Sequence, residues 1–298
     1  MRYLGGKHRQ GPKIAEHIAH AWCGQRDYFE PFCGAMGAAY RVVQAMQRTK
    51  DVLPTFHLSD GNEALVTMWR AVLQGWEPPD SISEDEYNAL REEQDPANPV
   101  TAFAGFGSAF GAHWFSTYAR GGDGRDFATQ AKMSILRKAK VLKTVERLDI
   151  VHRSFETVQP EGAIVYLDPP YAGKSNGYPV EFDYDGFWAY ARMLAETNLV
   201  CITEFQAPAD FPAVYSWGDT VQRHVGDRKG DGTIAEQIFV PQAQFDLWRM
   251  DEHIHTTARP QTPHRVRHEQ PSAAVSGGEQ LQPGPRTPMG GGGWGIVR

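Results

Sequence analysis

The hydrophobic pattern along the chain predicts short strands that alternate with longer helices. Short apolar runs suit buried strands, whereas apolar residues repeated every three to four positions indicate one buried face of a helix. The runs place strands at 27–31, 55–58, 150–152, 163–167, 199–203, 214–217 and 236–240. The helical pattern covers 13–22, 64–74, 84–93, 129–148 and 185–197, with a further helix ending near residue 47. This alternation is typical of the α/β class.

The strand at 163–167 runs into Asp168, two prolines and Tyr171. Because proline fixes φ and donates no backbone hydrogen bond, Pro169 and Pro170 must end the strand. Asp168 and Tyr171 are therefore predicted at the carboxyl edge of the sheet, where α/β folds bind their ligands.

These residue types suit a reaction on an exocyclic amine of a nucleobase. Such an amine is a poor nucleophile because its lone pair is delocalised into the ring. The Asp168 carboxylate and the Pro169 carbonyl can accept the amine hydrogens, and Tyr171 offers a flat face on which a displaced base can stack. The alternative is a plain strand end, with Asp168 capping the turn and Tyr171 packing in the core.

Two further strand ends carry residues that suit a nucleotide-like ligand. Residues 30–35 form a strand-to-helix turn in which the backbone amides around Gly34 can approach a ligand closely. Asp60 closes the second strand, and a carboxylate at this position is the usual acceptor for ribose hydroxyls. Capping of the following helix is the alternative role for Asp60.

The chain opens on a glycine-rich loop that ends at Lys7. Such a loop can lie close to a ligand, with Lys7 binding a carboxylate and Tyr3 stacking on a ring. A frayed N-terminus is the alternative for so short a segment.

Residues 80–148 interrupt the alternation with prolines, aromatic residues and positive charge. A Gly- and Arg-rich loop at 120–125 precedes a helix that carries several lysines. Basic residues beside aromatic ones suit phosphate contacts and displacement of a base. An ordinary solvated helix face is the alternative for the lysines.

Composition narrows the class of protein. The 298 residues are enough for one large α/β domain with a small insertion. No apolar run of membrane-spanning length and no signal peptide are visible, so we expect a cytoplasmic protein with no membrane partner. The formal net charge of −6 excludes an overall basic coat but allows one local basic face. The three cysteines are too widely spaced for a disulfide framework or a zinc site, so no metal is expected.

The end of the chain differs in composition from the rest. From residue 249 onward Pro, Gly, Gln, His and Arg dominate, which predicts a disordered tail because such a segment cannot bury a core. The sequence therefore divides into a catalytic domain at 1–79 and 149–248, an insertion at 80–148, and the tail at 249–298.

The order of the motifs resembles that of the Dam-like, alpha-group DNA N6-adenine methyltransferases, and of their phage-type members in particular. The shared features are Gly5-Gly6-Lys7, the Phe32-x-Gly34 turn, Asp60, a basic insertion and then Asp168-Pro169-Pro170-Tyr171. Segments 110–115 and 118–120 look like phage-borne members as well. One departure is Met36, which stands where the family usually has a second glycine. Gly37 is the candidate to replace that glycine.

The resemblance implies a Rossmann-like S-adenosylmethionine-dependent methyltransferase sheet with a small, mainly helical DNA-recognition insertion. It implies a protein of a bacterial cell, encoded by the host or a phage, that acts on double-stranded DNA. The sequence leaves the oligomeric state open, with a monomer favoured. The reaction would move a methyl group from S-adenosyl-L-methionine to N6 of a flipped-out adenine. The catalytic residues would be Asp168, Pro169, Pro170 and Tyr171. The cofactor-binding residues would be Tyr3, Gly6, Lys7, Phe32, Gly34, Asp60, Phe155 and Asp168. The DNA-binding residues would be Arg120, Arg125, Lys132, Lys138 and Lys140.

Two alternatives stay open at this point. Relatives of the same fold that methylate cytosine N4 or an RNA base more often carry Ser or Asn where Asp168 stands. A catalytically silent DNA-binding homologue would have little reason to keep both Asp168 and Tyr171.

Overall fold

The computed structural model describes residues 1, 3, 5–23, 26–49, 52–121, 126–171, 182–217 and 235–250. Two predicted features lie outside the described residues: Arg125 and the tail from residue 251 onward.

Within the described ranges, seven strands form one sheet in the order β3-β2-β1-β4-β5-β7-β6. The strands are β1 (Tyr28–Glu30), β2 (Phe56–Asp60), β3 (Leu148–His152), β4 (Ile164–Leu167), β5 (Leu199–Glu204), β6 (Ala213–Ser216) and β7 (Gln237–Phe239). Strands β1 to β5 are parallel, whereas β7 pairs antiparallel with both β5 and β6. The predicted α/β class and Rossmann-like sheet are confirmed.

Helices connect these strands. They are α1 (Gly11–Ala21), α2 (Ala39–Thr49), α3 (Glu63–Leu73), α4 (Glu84–Glu93), α5 (Pro99–Ala102), α6 (Phe127–Leu142), α7 (Tyr184–Ala195) and α8 (Phe245–Trp248). None of the helices in the described ranges is long and apolar enough to cross a bilayer.

The order of strands reverses between β1 and β4, and this reversal positions the site. Sheets of this kind bind ligands in the crevice outside the carboxyl ends of the strands, at the point where the order reverses. The turn at Gly34 follows β1, Asp60 ends β2, and Asp168 follows β4. The three predicted strand ends therefore lie side by side at one edge of the sheet.

Strand β4 is apolar on both faces because both faces are covered. Ile164 and Tyr166 pack into one core cluster, which also holds residues of α1, α2 and α3. Val165 and Leu167 point the other way, into a second cluster that includes Phe187 of α7. Burial on both faces explains why the strand shows a continuous apolar run rather than an alternating pattern.

The predicted helix at 129–148 is shorter than expected. Helix α6 begins after Asp126, whose carboxylate accepts hydrogen bonds from the amides of Ala128 and Thr129, and it ends at Leu142. The next residues turn the chain, and Leu148 already pairs with Phe56 as the first residue of β3. Charged residues continue past the end of the helix, so the sequence pattern predicted a longer helix than the structure has.

Helix α6 is shared between the insertion and the rest of the protein. Its buried face includes Ala131, Ile135 and Leu142, and it packs against α2 and α3. Residues Met1–Asp251 form one compact unit that contains both the sheet and the insertion. A separate recognition role for residues 80–148 stays a prediction.

Candidate active site

Asp168 is fixed at the end of β4 by three donors that converge on a single oxygen. Its Oδ1 lies 2.6 Å from the Lys7 ammonium and accepts hydrogen bonds from the hydroxyls of Thr203 at 3.0 Å and Tyr171 at 3.2 Å. The side chain is 17% exposed. Burial raises the pKa of Asp168, while the adjacent Lys7 ammonium favours the charged carboxylate and limits that rise.

Lys7 reaches this carboxylate from the opening loop of the chain. The ammonium also lies 3.4 Å from Glu236, donates to the Gly5 carbonyl at 2.9 Å, and stands 4.5 Å from the centre of the Tyr171 ring. Burial alone would lower the pKa of Lys7, but Asp168 and Glu236 together outweigh it and the pKa is raised. Lys7 is therefore a charged group that two carboxylates share.

Two glycines bring the opening loop to this position. The Gly6 amide donates to the Tyr3 carbonyl at 2.9 Å, and a Cβ on Gly6 would lie 3.0 Å from that oxygen. A Cβ on Gly37 would lie 2.8 Å from the Lys7 amide nitrogen. Because Gly37 has no Cβ, the backbone of the opening loop can contact the turn after β1. Gly37 thus has the structural role of a second glycine in this turn.

Met36 keeps the backbone shape that a glycine would give. Its φ is +56°, in the left-handed region that favours glycine, and its side chain is completely buried. A non-glycine residue in this region costs about 1–2 kcal/mol, which burial of a methionine side chain can offset. The departure from the family pattern therefore changes the side chain at this position and leaves the turn in place.

Tyr171 lies inside the site. Its hydroxyl donates to Glu236 Oε1 at 2.5 Å, and its ring meets Phe205 edge-on at 4.9 Å between centroids. The residue is 7% exposed. Stacking of a displaced base on Tyr171 stays a prediction.

The two prolines between Asp168 and Tyr171 form the turn predicted from sequence. Pro169 is buried, and the Pro170 carbonyl accepts a hydrogen bond from the Tyr184 hydroxyl at 3.0 Å. Tyr184 is the first residue of α7, so this bond ties the turn to the helix that packs behind β4. The role of the Pro169 carbonyl as a second acceptor stays a prediction.

The turn after β1 is joined to the end of β2 through Asp60. The Gly34 amide donates to Asp60 Oδ2 at 2.8 Å, and the Asn62 amide donates to Oδ1 at 2.9 Å. Asn62, rather than Asp60, caps α3, because its side chain accepts from the Leu65 amide. The capping alternative for Asp60 is therefore wrong, and its contact with a ribose stays a prediction.

Aromatic rings line the same edge of the sheet. Phe32 and Phe155, both partly buried, have ring centroids 5.0 Å apart. The Tyr3 ring lies against Gly34, where an added Cβ would stand 2.9 Å from the ring, and it contacts Phe106 of the insertion at 4.8 Å. The structure thus brings the predicted cofactor residues Tyr3, Phe32, Gly34 and Phe155 to neighbouring strand ends.

Lys138 does not lie on an exposed basic face, contrary to the prediction that it contacts DNA. The residue is 5% exposed, and its ammonium donates to the Ala35 carbonyl at 2.5 Å. Burial, followed by repulsion from Arg137, lowers the pKa of Lys138 to about 8. It lies one turn from both Ile135 and Leu142, on the buried face of α6, and this periodicity explains its position.

The other predicted DNA-binding residues differ in their surroundings. Arg120 is exposed and forms a two-bond ion pair with Glu84. The Lys132 ammonium pairs with Asp80 at 2.8 Å. Lys140 is exposed on α6.

Several residues of the site were not predicted as site residues. Glu236 is buried and accepts from Tyr171 and from the Gln10 side chain at 2.7 Å. Thr203 links Asp168 to the Tyr166 hydroxyl, 2.8 Å away. Thr203 is near the end of β5, so the strand-end argument that found Asp168 could have found it too.

Glu30, the last residue of β1, adds another buried carboxyl group. It accepts a hydrogen bond from the Tyr28 hydroxyl at 2.7 Å. Burial raises the pKa of Glu30 to about 8, with repulsion from Asp168 acting in the same direction. Within the described residues, no group of three or more His, Cys, Asp or Glu side chains could hold a metal ion.

Comparison with known proteins finds little similarity. No family model matches the chain, and no curated protein matches it. One solved structure, the rRNA methyltransferase aviRa from Streptomyces viridochromogenes, is 13% identical over 80% of this chain and 85% of that one, with a TM-score of 0.37. Another, a possible methylase from Clostridium difficile 630, is 10% identical over 76% and 79%, with a TM-score of 0.20. Both likenesses are too weak to assign a function, which must be argued from the residues of this chain.

Proposed function

We propose that this chain is an S-adenosylmethionine-dependent methyltransferase that modifies N6 of an adenine flipped out of double-stranded DNA. The observation that carries the proposal is the hydrogen bonding of the two Asp168 carboxylate oxygens. Three donors fix its Oδ1, whereas within the described residues Oδ2 takes part in no hydrogen bond. An oriented carboxylate with one oxygen left to accept suits an amine substrate.

The residues around the turn after β1 fit the methyl donor. Gly34 and Gly37 let Tyr3 and Lys7 of the opening loop lie against the turn after β1, Phe32 and Phe155 form a partly exposed pair of rings, and Asp60 supplies a carboxylate. Tyr3, Gly6 and Lys7 of the opening loop complete the set that would hold the cofactor. When bound, the cofactor supplies an electrophilic methyl group.

In the proposed reaction, Asp168 holds the target amine and no covalent bond forms between protein and base. Asp168 Oδ2 accepts a hydrogen of the adenine amine, which draws the lone pair of the nitrogen out of the ring. The Pro169 carbonyl accepts the other hydrogen, and Tyr171 contacts the base. Cys33 is buried, and burial raises the pKa of its thiol, so it is not a nucleophile in this reaction.

Residues 80–148 are proposed to read the DNA. The contact between the Tyr3 and Phe106 rings supports this proposal, because it joins the insertion to the opening loop. Lys140 is exposed on α6 and can contact a phosphate. Arg120 and Lys132 are already paired with acidic side chains, so they must exchange those partners before they can bind DNA.

The test supplies the purified full chain with labelled S-adenosylmethionine and either unmethylated plasmid DNA or RNA of matched sequence. After digestion, mass spectrometry of the nucleosides should show N6-methyldeoxyadenosine from the DNA alone. A methylated cytidine, a methylated ribonucleoside or no product at all would overturn the DNA adenine assignment. Asp210→Ala removes an exposed carboxylate that is paired with Arg192 and lies outside the proposed site. This variant should keep the activity of the wild-type chain.

A further inference from the structure

The site contains a second buried carboxylate that the proposed reaction does not yet use. Glu236 precedes β7, and its Oε1 accepts a hydrogen bond from the Tyr171 hydroxyl at 2.5 Å. Its Oε2 accepts from the Gln10 side chain at 2.7 Å. The same Tyr171 hydroxyl lies 3.2 Å from Asp168 Oδ1, so three oxygens form a continuous line from Asp168 through Tyr171 to Glu236.

We propose that Glu236 takes up the proton that methyl transfer releases, with Tyr171 as the relay. This inference rests on the proposed function. When the amine nitrogen gains a methyl group, the bond between that group and the donor sulfur breaks and the nitrogen becomes positively charged. The nitrogen loses a proton to Asp168 Oδ2 as the new bond forms. Rotation of the protonated carboxyl group then presents its hydrogen to the Tyr171 oxygen. That hydrogen passes to Tyr171 while the Tyr171 hydroxyl proton moves to Glu236, which restores both Asp168 and Tyr171.

The charges of the site favour uptake of this proton. Asp168 and Glu236 share one buried cation, Lys7, at 2.6 Å and 3.4 Å. The three groups carry a net charge of −1, and one proton from the substrate makes the set neutral. Removal of an uncompensated charge from a buried site is favourable because interactions between charges are weakly screened there.

The geometry also makes Glu236 the final proton acceptor of the relay. Its two oxygens already have donors from Tyr171 and Gln10, and the carboxylate is buried. Thr203, the other hydroxyl on Asp168 Oδ1, leads instead to Tyr166, which burial keeps protonated by raising its pKa. Glu236 acts on the substrate only through Tyr171 and Asp168, so it is a positioning and proton-accepting residue without substrate contact.

The experiment measures single-turnover methyl transfer and S-adenosylmethionine affinity separately. Glu236→Gln keeps the shape of the side chain and an oxygen that can accept from Tyr171, but an amide cannot take the proton. We expect its transfer rate to fall about 10²-fold, the usual scale for loss of proton transfer, with cofactor affinity unchanged within about two-fold. Glu236→Asp keeps the carboxylate and should recover at least a tenth of the wild-type rate.

Tyr171→Phe removes the hydroxyl at the centre of the relay but keeps a ring that can still contact Phe205. Its rate should fall as far as that of Glu236→Gln, and the double variant should lose no more than either single one. Thr203→Val is the matched control, because it removes a different donor from Asp168. Its effect should add in full to that of Glu236→Gln.

Three results would overturn the proposal: a Glu236→Gln rate within three-fold of wild type, additive losses in the double variant, or losses in rate matched by losses in cofactor affinity. If Glu236→Gln does not fold, Tyr171→Phe and Glu236→Asp still decide the question. A wild-type protein that methylates no nucleic acid overturns the proposed function as well, whereas an active wild type with an unaffected Glu236→Gln overturns the relay alone.

Discussion

The buried ammonium of Lys138 predicts a specific dependence of stability on pH. Burial and repulsion from Arg137 and Arg41 lower its pKa from 10.5 to about 8, and Glu30 opposes this shift. The unfolded chain therefore binds more protons than the folded chain between these two values. It follows that the contribution of Lys138 to stability rises with pH across this window.

The size of the effect follows from the two pKa values. Between about pH 7.5 and about pH 9.5, the free energy of unfolding should rise by about 2 kcal/mol through Lys138 alone. Lys138→Met removes the titrating group and keeps an unbranched side chain of similar length. Its free energy of unfolding should therefore lack this rise.

Urea unfolding followed by circular dichroism at the two pH values measures this difference. Lys140→Met is the control, because Lys140 is an exposed lysine on the same helix and should behave like wild type. An equal pH dependence in wild type and Lys138→Met would refute the reasoning. A difference of the same size in Lys140→Met would also refute it, because burial would then not be the cause.

Three more substitutions test the site. Asp168→Ala should lower single-turnover methyl transfer by about 10²- to 10³-fold, since it removes the acceptor for the amine, and activity within a few-fold of wild type would contradict that role. Asp60→Ala should weaken binding of S-adenosylmethionine in calorimetric titration, and an unchanged affinity would remove Asp60 from the cofactor site. Met36→Gly should lower the free energy of unfolding by about 2 kcal/mol, because loss of a fully buried side chain outweighs relief of the left-handed backbone. A urea midpoint equal to or above that of wild type would show that the strain dominates.

The strand-end residues could be predicted because they depend on a local pattern and one general rule. Gly34, Asp60 and Asp168 each come after an apolar run, and parallel strands bring their carboxyl ends to one edge of the sheet. The prolines after Asp168 made this strand end particularly clear. No knowledge of side-chain partners was needed to place the three residues together.

Glu236 could not be found in this way because it precedes its strand. Only the antiparallel pairing of β7 with β5, which puts Gln237 opposite Glu204, brings the start of β7 to the edge where Asp168 lies. The direction of a strand is not apparent from its hydrophobic pattern. The partner of Tyr171 therefore depended on the topology of the whole sheet.

Lys138 and Lys140 of α6 show a different limit of prediction from sequence. Residue type made Lys138 and Lys140 equivalent candidates for DNA contact, yet helical periodicity puts Lys138 on the same face as Ile135. That periodicity was available in the sequence. What the sequence lacked was the Ala35 carbonyl, whose position makes a buried ammonium tolerable at this point.

The packing of α6 limits which parts of this chain can be exchanged with another protein. If residues 80–148 read the DNA as proposed, a change of specificity would ordinarily exchange them as one cassette. Here such a cassette would carry away Ile135 and Leu142, which form part of the core against α2 and α3, together with the Lys138 contact to the turn after β1. A chimera that changes α4 and the following loops but keeps α6 would retain its scaffold, so the proposed recognition segment can be exchanged only upstream of Asp126.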